Sequence, residues 1–255
     1  ASDVYKRQGC ALLHDKTLEI PKGPYAGTYP FPEYEDVAAW GSNLGIGDTE
    51  AVIKITDLAN RYGIDSVEGG YTVSLAMECY EKKLLSKDDA DGLELQWGNA
   101  EVVMKLLEKI VRREGIGNVL ADGVKKAADR IGKGSHEFAV TIKNMAPMQH
   151  DIRSDWGKML GYTVAGTGPC HEGVPAYQLP DPEIGFPAYL PRFTTQRQAE
   201  ASRKAQFKRT LADNLGICDF NKRGVPARVI ESAIKAVTGW DMSIEEAYEA
   251  CERTV

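Results

Sequence analysis

The sequence predicts a mainly α, multihelical protein. Three observations carry that expectation. Apolar residues recur at three- and four-residue spacing in one segment after another. Those segments open and close on capping residues. Alternating strand patterns are scarce.

Residues 10–47 read as loop-rich, with Gly23-Pro24, Gly27, Pro30 and Pro32 as punctuation. A helix is predicted next: Asp48 caps it, Glu50 lies in its first turn, and Val52, Ile55, Leu58, Ala59 and Tyr62 recur at helical spacing. Gly63 suits the left-handed position beyond its last turn. A second helix is predicted over about 68–84, with Tyr71, Leu75 and Cys79 on one stripe. Ser86 and Asp89 have the spacing of a capping box. Asn99 caps a third helix whose wide apolar face carries Val102, Val103, Leu106, Leu107, Ile110 and Val111, and Gly115 ends it. A fourth spans about 118–131 and stops at Gly132. The best strand pattern is Phe138 to Ile142.

Residues 144–194 read as irregular apart from a helix near 154–164, and six of the twelve prolines fall between 169 and 191. Loops of that length within a compact domain are usually functional. A further helix runs from about Thr195 to Leu215, stopped by Gly216. Pro226 suits the first position of a helix carrying Val229, Ile230, Ala233, Ile234 and Val237, closed by Gly239. Ser243 and Glu246 form a capping box for the last helix. No fixed-period repeat stands out.

Composition excludes several classes. Of the 255 residues, 43% are hydrophobic and 27% charged, a globular balance. A net charge of −6 without a basic run argues against nucleic-acid binding. No apolar run approaches the ~20 residues that cross a bilayer. The five cysteines, at 10, 79, 170, 218 and 251, are odd in number and scattered, which fits a reducing cytoplasm better than a disulfide framework. Residues 1–9 are an uninformative edge; the first eight carry no initiator Met, signal core or transit pattern.

Two helix ends share one design. Asn60-Arg61-Tyr62-Gly63-Ile64-Asp65 and Asp213-Asn214-Leu215-Gly216-Ile217-Cys218 each place a polar residue, two spacers, Gly, Ile and a potential ligand after an amphipathic helix. Glycine permits the turn, Ile is expected to anchor it in the core, and the next side chain lands just beyond the helix end. An Asp there can accept from the NH groups of a heterocycle, and a Cys can bind iron. Taken singly, either is also an ordinary helix terminator.

These paired corners resemble the D-x-x-G-L-[D/C] motifs of the aldehyde ferredoxin oxidoreductase family, tungsten- or molybdenum-dependent bis-pterin enzymes. The resemblance implies two helical domains around a cofactor cleft, the first over 10–150 and the second over 151–255. Asn60, Gly63, Ile64 and Asp65 would then contact one pterin, and Asp213, Gly216 and Ile217 the other. Cys218 would bind a [4Fe–4S] cluster. Asn60 stands where the family has Asp, so that contact lacks a charge. Gly9-Cys10 resembles the end of the family's C-x-x-C-x-x-x-C cluster motif, making Cys10 a second ligand; residues 1–8 contain no Cys.

Other segments extend the likeness. Gly23-Pro24-Tyr25 with Pro32-Glu33-Tyr34-Glu35 resembles the family's G-P-E-Y-E, interrupted by an insertion, and the spacing favours Glu35 over Glu33 for the glutamate beside the metal. Trp40 to Asp48 is similar to the next family segment. His150-Asp151-Ile152-Arg153 resembles H-D-P-R, and Leu160 to Ala165 followed by Cys170-His171 resembles L-G-Y-A leading to a C-H pair. Without the family, Glu33 and Glu35 read as a solvated acidic loop, and His171 as a surface residue, loop brace or stray ligand. His14 and His136 match nothing.

The implied reaction oxidises an aldehyde to a carboxylic acid. The metal-pterin centre takes two electrons and the cluster passes them singly to ferredoxin. Glu35 would be the general base, and His171 would donate a hydrogen bond to the substrate carbonyl oxygen. The resemblance also implies that the chain is a fragment, short of an N-terminal domain and of sequence beyond 255. It allows a homodimer, although the E-x-x-H motif that some members use at a dimer interface is absent. Two alternatives remain open: a tungsten subunit of the benzoyl-CoA-reductase type, and a helical scaffold that has lost its cofactor.

Overall fold

Ten α-helices, a few 3-10 turns and a two-stranded sheet make up the regular structure of the computed structural model, which describes residues 17–166, 168–171, 182–218 and 225–254. The mainly α, multihelical expectation holds. The chain divides into two compact units, one of Asp15–His150 and one containing Asp151–Val255.

The first unit opens with β1 (Thr17–Ile20) paired antiparallel to β2 (Gly27–Pro30), Thr17 opposite Pro30 and Ile20 opposite Gly27. Ile20 and Tyr29 close over Ile53. Helix α1 (Tyr34–Trp40) follows, its first turn closed by a reciprocal box between Glu33 and Asp36. The expectation of a loop-rich 10–47 is thereby corrected for the described part. Four-residue strands and a seven-residue helix are too short to establish a period, and Glu is not a preferred N-cap type.

Helix α2 (Thr49–Tyr62) starts where Asp48 accepts from Glu50 and Ala51 N–H at 3.0 and 3.2 Å. Helix α3 (Ser66–Glu81) is capped by Asp65, and α4 (Ala100–Arg112) by Asn99, whose Oδ1 accepts from Val102 N–H at 3.1 Å. The helix expected over 118–131 is two, α5 (Ile116–Leu120) and α6 (Val124–Ile131). The chain breaks at Asp122-Gly123, where Gly123 takes φ 90°, and Glu68 accepts from Val124 N–H at 2.7 Å as the second helix begins. The Ser86–Asp89 box forms, with Ser86 N–H donating to Asp89 Oδ2 at 2.8 Å, but it closes a turn rather than opening a helix. The strand expected over Phe138–Ile142 is not there. Phe138 closes a 3-10 turn and packs on the core, and only Ile142 makes a bridge, with Met145. An apolar run without a partner strand has no ladder to join.

Trp40, Leu44, Ile55, Leu75, Met77, Leu106 and Leu107 fill this unit's core. Helix α1 lies close against α3 because two glycines leave room: a Cβ on Gly69 would stand 2.8 Å from the Trp40 ring, and one on Gly70 2.9 Å from Ala39. Trp40 Nε1 donates to Ser66 Oγ at 3.1 Å and pins the same contact.

The second unit contains α7 (Trp156–Val164), α8 (Gln198–Asn214), α9 (Ala227–Thr238) and α10 (Ile244–Glu252). Asp155 caps α7 by accepting from Lys158 N–H at 3.1 Å. Phe207 and Leu211 of α8 pack with Ile230 and Ile234 of α9 and with Ile244, Ala247 and Cys251 of α10. Pro226 stands at the N-cap of α9, one place before the expected position. The Ser243–Glu246 capping box forms, with Ser243 N–H donating to Glu246 Oε2 at 2.8 Å. Among the described residues no helix is long and apolar enough to cross a membrane.

Candidate functional site

Both matched helix ends adopt one hydrogen-bond pattern. At the end of α2, Gly63 N–H donates to Asn60 O at 3.2 Å and Ile64 N–H to Ala59 O at 2.9 Å. At the end of α8, Gly216 N–H donates to Asp213 O at 3.1 Å and Ile217 N–H to Ala212 O at 2.8 Å. This is the Schellman arrangement, with Gly63 at φ 69° and Gly216 at φ 66° in the left-handed region. The likeness in sequence is therefore a likeness in backbone geometry.

The surroundings differ. Ile64 is half-buried against the core of its unit, as expected. Ile217 is 37% exposed, so the expectation that it anchors its corner in the core is corrected. Among the described residues, the apolar cluster formed by α8, α9 and α10 does not include it. Asn60, Gly63 and Asp65 are exposed, and so are Asp213, Gly216 and Cys218. Asp65 also starts the next helix, α3, where its Oδ1 accepts from Glu68 N–H at 2.8 Å. Asp213 accepts from Arg209 Nε at 3.4 Å.

These corners suit a flat heterocycle bearing NH groups. Each offers an exposed carboxylate, and neither glycine has an atom within 4 Å of where a Cβ would stand, so a ring can lie on the turn. Cys218 is an exposed free thiol, open to iron. Cys10 lies outside the described residues, as does His14.

Glu35 sits in the first turn of α1 with its side chain 21% exposed. Its Oε2 accepts from Gln149 N–H at 2.7 Å, and its Oε1 lies 3.5 Å from His150 Nε2. The His150 ring in turn lies on the Tyr34 ring, centroids 4.5 Å apart. Glu33, by contrast, is exposed and occupied in the capping box. Of the two glutamates, Glu35 is thus the one drawn into a side-chain cluster. The segment bearing Gln149 and His150 is tied down upstream, where Ala146 N–H donates to Glu68 Oε2 at 2.9 Å. Three consecutive residues of α3 therefore place both halves of this cluster: Glu68 holds the loop, and Gly69 and Gly70 seat α1.

His150 is the site residue that sequence reasoning passed over. The signal was present in the His150-Asp151-Ile152-Arg153 segment, but adjacency in sequence does not tell which residue turns toward Glu35. In the second unit, Asp151 and Arg153 form a forked ion pair, with Nη2 to Oδ2 at 2.7 Å, and Asp151 also caps the turn by accepting from Arg153 N–H at 2.8 Å. Arg153 holds the Asp151 carboxyl down to about 2. His171 and Cys170 are half-buried in that unit, after a tight turn in which Cys170 N–H donates to Gly168 O at 2.8 Å. His136 is 52% exposed beside Asp129.

A family model described as aldehyde ferredoxin oxidoreductase, domains 2 and 3, matches residues 3–255. The tungsten-containing aldehyde ferredoxin oxidoreductase of Thermococcus kodakarensis is 32% identical over 255 residues, covering 99% of this chain and 42% of that protein. A Pyrococcus furiosus protein named aliphatic sulfonate oxidoreductase, WOR-like subunit, is 36% identical over 175 residues, 66% of this chain and 28% of its own. Among solved structures, the active-site complex BamBC of benzoyl coenzyme A reductase with 1,5-dienoyl-CoA superposes with a TM-score of 0.73 at 22% identity, covering 94% of this chain and 41% of that one. At that identity the likeness is one of fold. The chain spans about two fifths of the length of the Thermococcus relative.

Proposed function

Because this chain belongs to the aldehyde ferredoxin oxidoreductase family, matching its domains 2 and 3, we propose that it supplies the pterin-gripping, substrate-facing helical part of a tungsten-dependent oxidoreductase that converts aldehydes to carboxylic acids. The observation that carries this reading is the pair of glycine corners with one hydrogen-bond pattern, each followed by an exposed ligand-type side chain. Asn60, Gly63, Ile64 and Asp65 hold one pterin; Asp213, Gly216 and Ile217 hold the other. Cys218, with Cys10, contributes thiolates to a [4Fe–4S] cluster, and the reading includes ferredoxin as electron acceptor and the cytoplasm as location. Tungsten is favoured over molybdenum by the names of the relatives.

The metal-pterin group, when bound, supplies the two-electron redox chemistry. The protein's own residues bind, orient and move protons. The exposed carboxylates of Asp65 and Asp213 accept from pterin NH groups and fix the ring planes. Glu35 would accept a proton from the water whose oxygen joins the aldehyde carbon, the two electrons of that oxidation going to the metal-pterin group; its place within a side-chain cluster rather than in open solvent suits a general base. His171 donates to the carbonyl oxygen and stabilises the charge that builds there.

The test is made on the full-length protein. Tungsten by elemental analysis, together with aldehyde-dependent reduction of ferredoxin, is the expected result. Reduction of an aromatic acyl-CoA instead would keep the site and change the reaction. Absence of both metal and pterin would leave a helical scaffold and end the proposal. Glu35→Gln is expected to abolish turnover at unchanged tungsten content, and undiminished turnover removes Glu35 from the reaction.

A further inference from the structure

We propose that His150 is a positioning residue that holds the Glu35 carboxylate in its working orientation. The inference rests on the reading of Glu35 as the general base and goes beyond it by naming what fixes that base. A glutamate has three rotatable bonds, and holding them in one arrangement costs entropy that contacts must offset. Those contacts come from a loop far along the same unit. Gln149 N–H binds Oε2 at 2.7 Å, and His150 Nε2 stands 3.5 Å from Oε1, so adjacent residues bracket both oxygens. A carboxylate only accepts, so for His150 to hold Oε1 the nitrogen facing it must carry the hydrogen. The Tyr34 ring, next to Glu35 on α1, lies on the His150 ring at 4.5 Å and 31°, which fixes the imidazole plane. Tyr34-Glu35 and Gln149-His150 thus interlock two by two. The loop side of this clamp is anchored by Glu68 through Ala146 N–H at 2.9 Å.

A held base acts over a defined distance, and a displacement of about 1 Å costs roughly a hundredfold in rate. In the full-length, tungsten-loaded protein, His150→Leu is therefore expected to lower kcat for aldehyde about a hundredfold. KM should stay within about twofold, and tungsten content and Tm should be those of the wild type. His150→Gln keeps an N–H donor at similar reach and is expected to recover most of the loss. An unchanged kcat in His150→Leu overturns the proposal, as does a His150→Gln variant no better than His150→Leu. A second measurement is independent of turnover. Long-range proton–nitrogen NMR of histidine-labelled full-length protein should show His150 with hydrogen on Nε2, and Glu35→Leu should abolish that preference. A bare Nε2 in the wild type also overturns it. If the wild type oxidises no aldehyde, the proposed reaction fails on its own, and the nitrogen measurement still decides the role of His150.

Discussion

Replacing Gly63 by Ala separates a conformational cost from a steric one. Gly63 has φ 69°, and no atom lies within 4 Å of where its Cβ would be. The added methyl therefore meets nothing, and the whole penalty is backbone strain of about 1.5 kcal/mol in the left-handed region. The stiffer unfolded chain returns about 0.5 kcal/mol. The net is a loss of about 1 kcal/mol, or about 3 °C in Tm for a protein of this size. Gly63→Asn should lose less, because Asn visits that region more readily. Gly117→Ala provides the contrast. Its Cβ would stand 2.2 Å from the Lys109 carbonyl carbon and oxygen, backbone of α4. Helices α4 and α5 would have to part, at a cost of about 3 kcal/mol or more. Urea and thermal unfolding of the three variants measure this order. Gly63→Ala as damaging as Gly117→Ala, or Gly63→Asn no better than Gly63→Ala, refutes the account. Gly216, at φ 66° and equally open, should behave as Gly63 does.

Other predictions follow from single contacts. Glu68→Gln retains one acceptor oxygen for two N–H donors, Val124 and Ala146. It should cost about 2 kcal/mol and speed hydrogen exchange at one of those amides. In metal-free protein, iodoacetamide should modify exposed Cys218 quickly and spare buried Cys79 and Cys251. Burial, with Glu78 adding, raises the Cys79 thiol to about 11, so moderately alkaline buffer should not expose it to attack. The Asp151 carboxyl is depressed from 3.8 to about 2 in the folded chain, so its pairing stabilises above 3.8 and is lost as pH falls through about 2. Because the pair is 52% and 86% exposed, solvent screens it and the contribution is small. Arg153→Gln should slightly flatten the acid limb of the stability profile, and an unchanged limb counts against the pair.

Much of the helical frame was legible because its signals are local. Asp48, Asn99 and Ser243 cap the helices they were expected to cap, and Gly63 and Gly239 end theirs. What was not legible depends on residues distant in sequence. The bond that satisfies the first N–H of α6 comes from Glu68, 56 residues before Val124. The apolar run at Phe138–Ile142 meets the period of a strand and lacks the neighbour that makes one. The hairpin of β1 and β2 is the reverse case: four residues a side are too few to show alternation, yet Ile20 and Tyr29 find Ile53 and are held. At the site, the two corners were readable from spacing. The bracket on Glu35 was not, because Gln149 is 114 residues from it.

The contrast between Ile64 and Ile217 shows what the corner motif encodes. The same backbone bonds form at both ends, one with its Ile against a core and one with its Ile 37% exposed. Burial of that side chain is therefore not what makes the turn; the helix end and the glycine suffice. The motif delivers a side chain to a set position whatever packs behind it. Asp65 is held further by capping α3, so its carboxylate is oriented before any ligand arrives. At the second corner Asp213 meets only a long, partly exposed i,i+4 contact from Arg209 at 3.4 Å, and Cys218 is an exposed free thiol. On the proposed function, the first corner is the preorganised half of the pterin grip. The second gains its order from the ligand, so loss of cofactor should raise proteolytic cleavage near 213–218 while leaving 60–65 protected. Equal protection at both corners in cofactor-free protein would contradict this division.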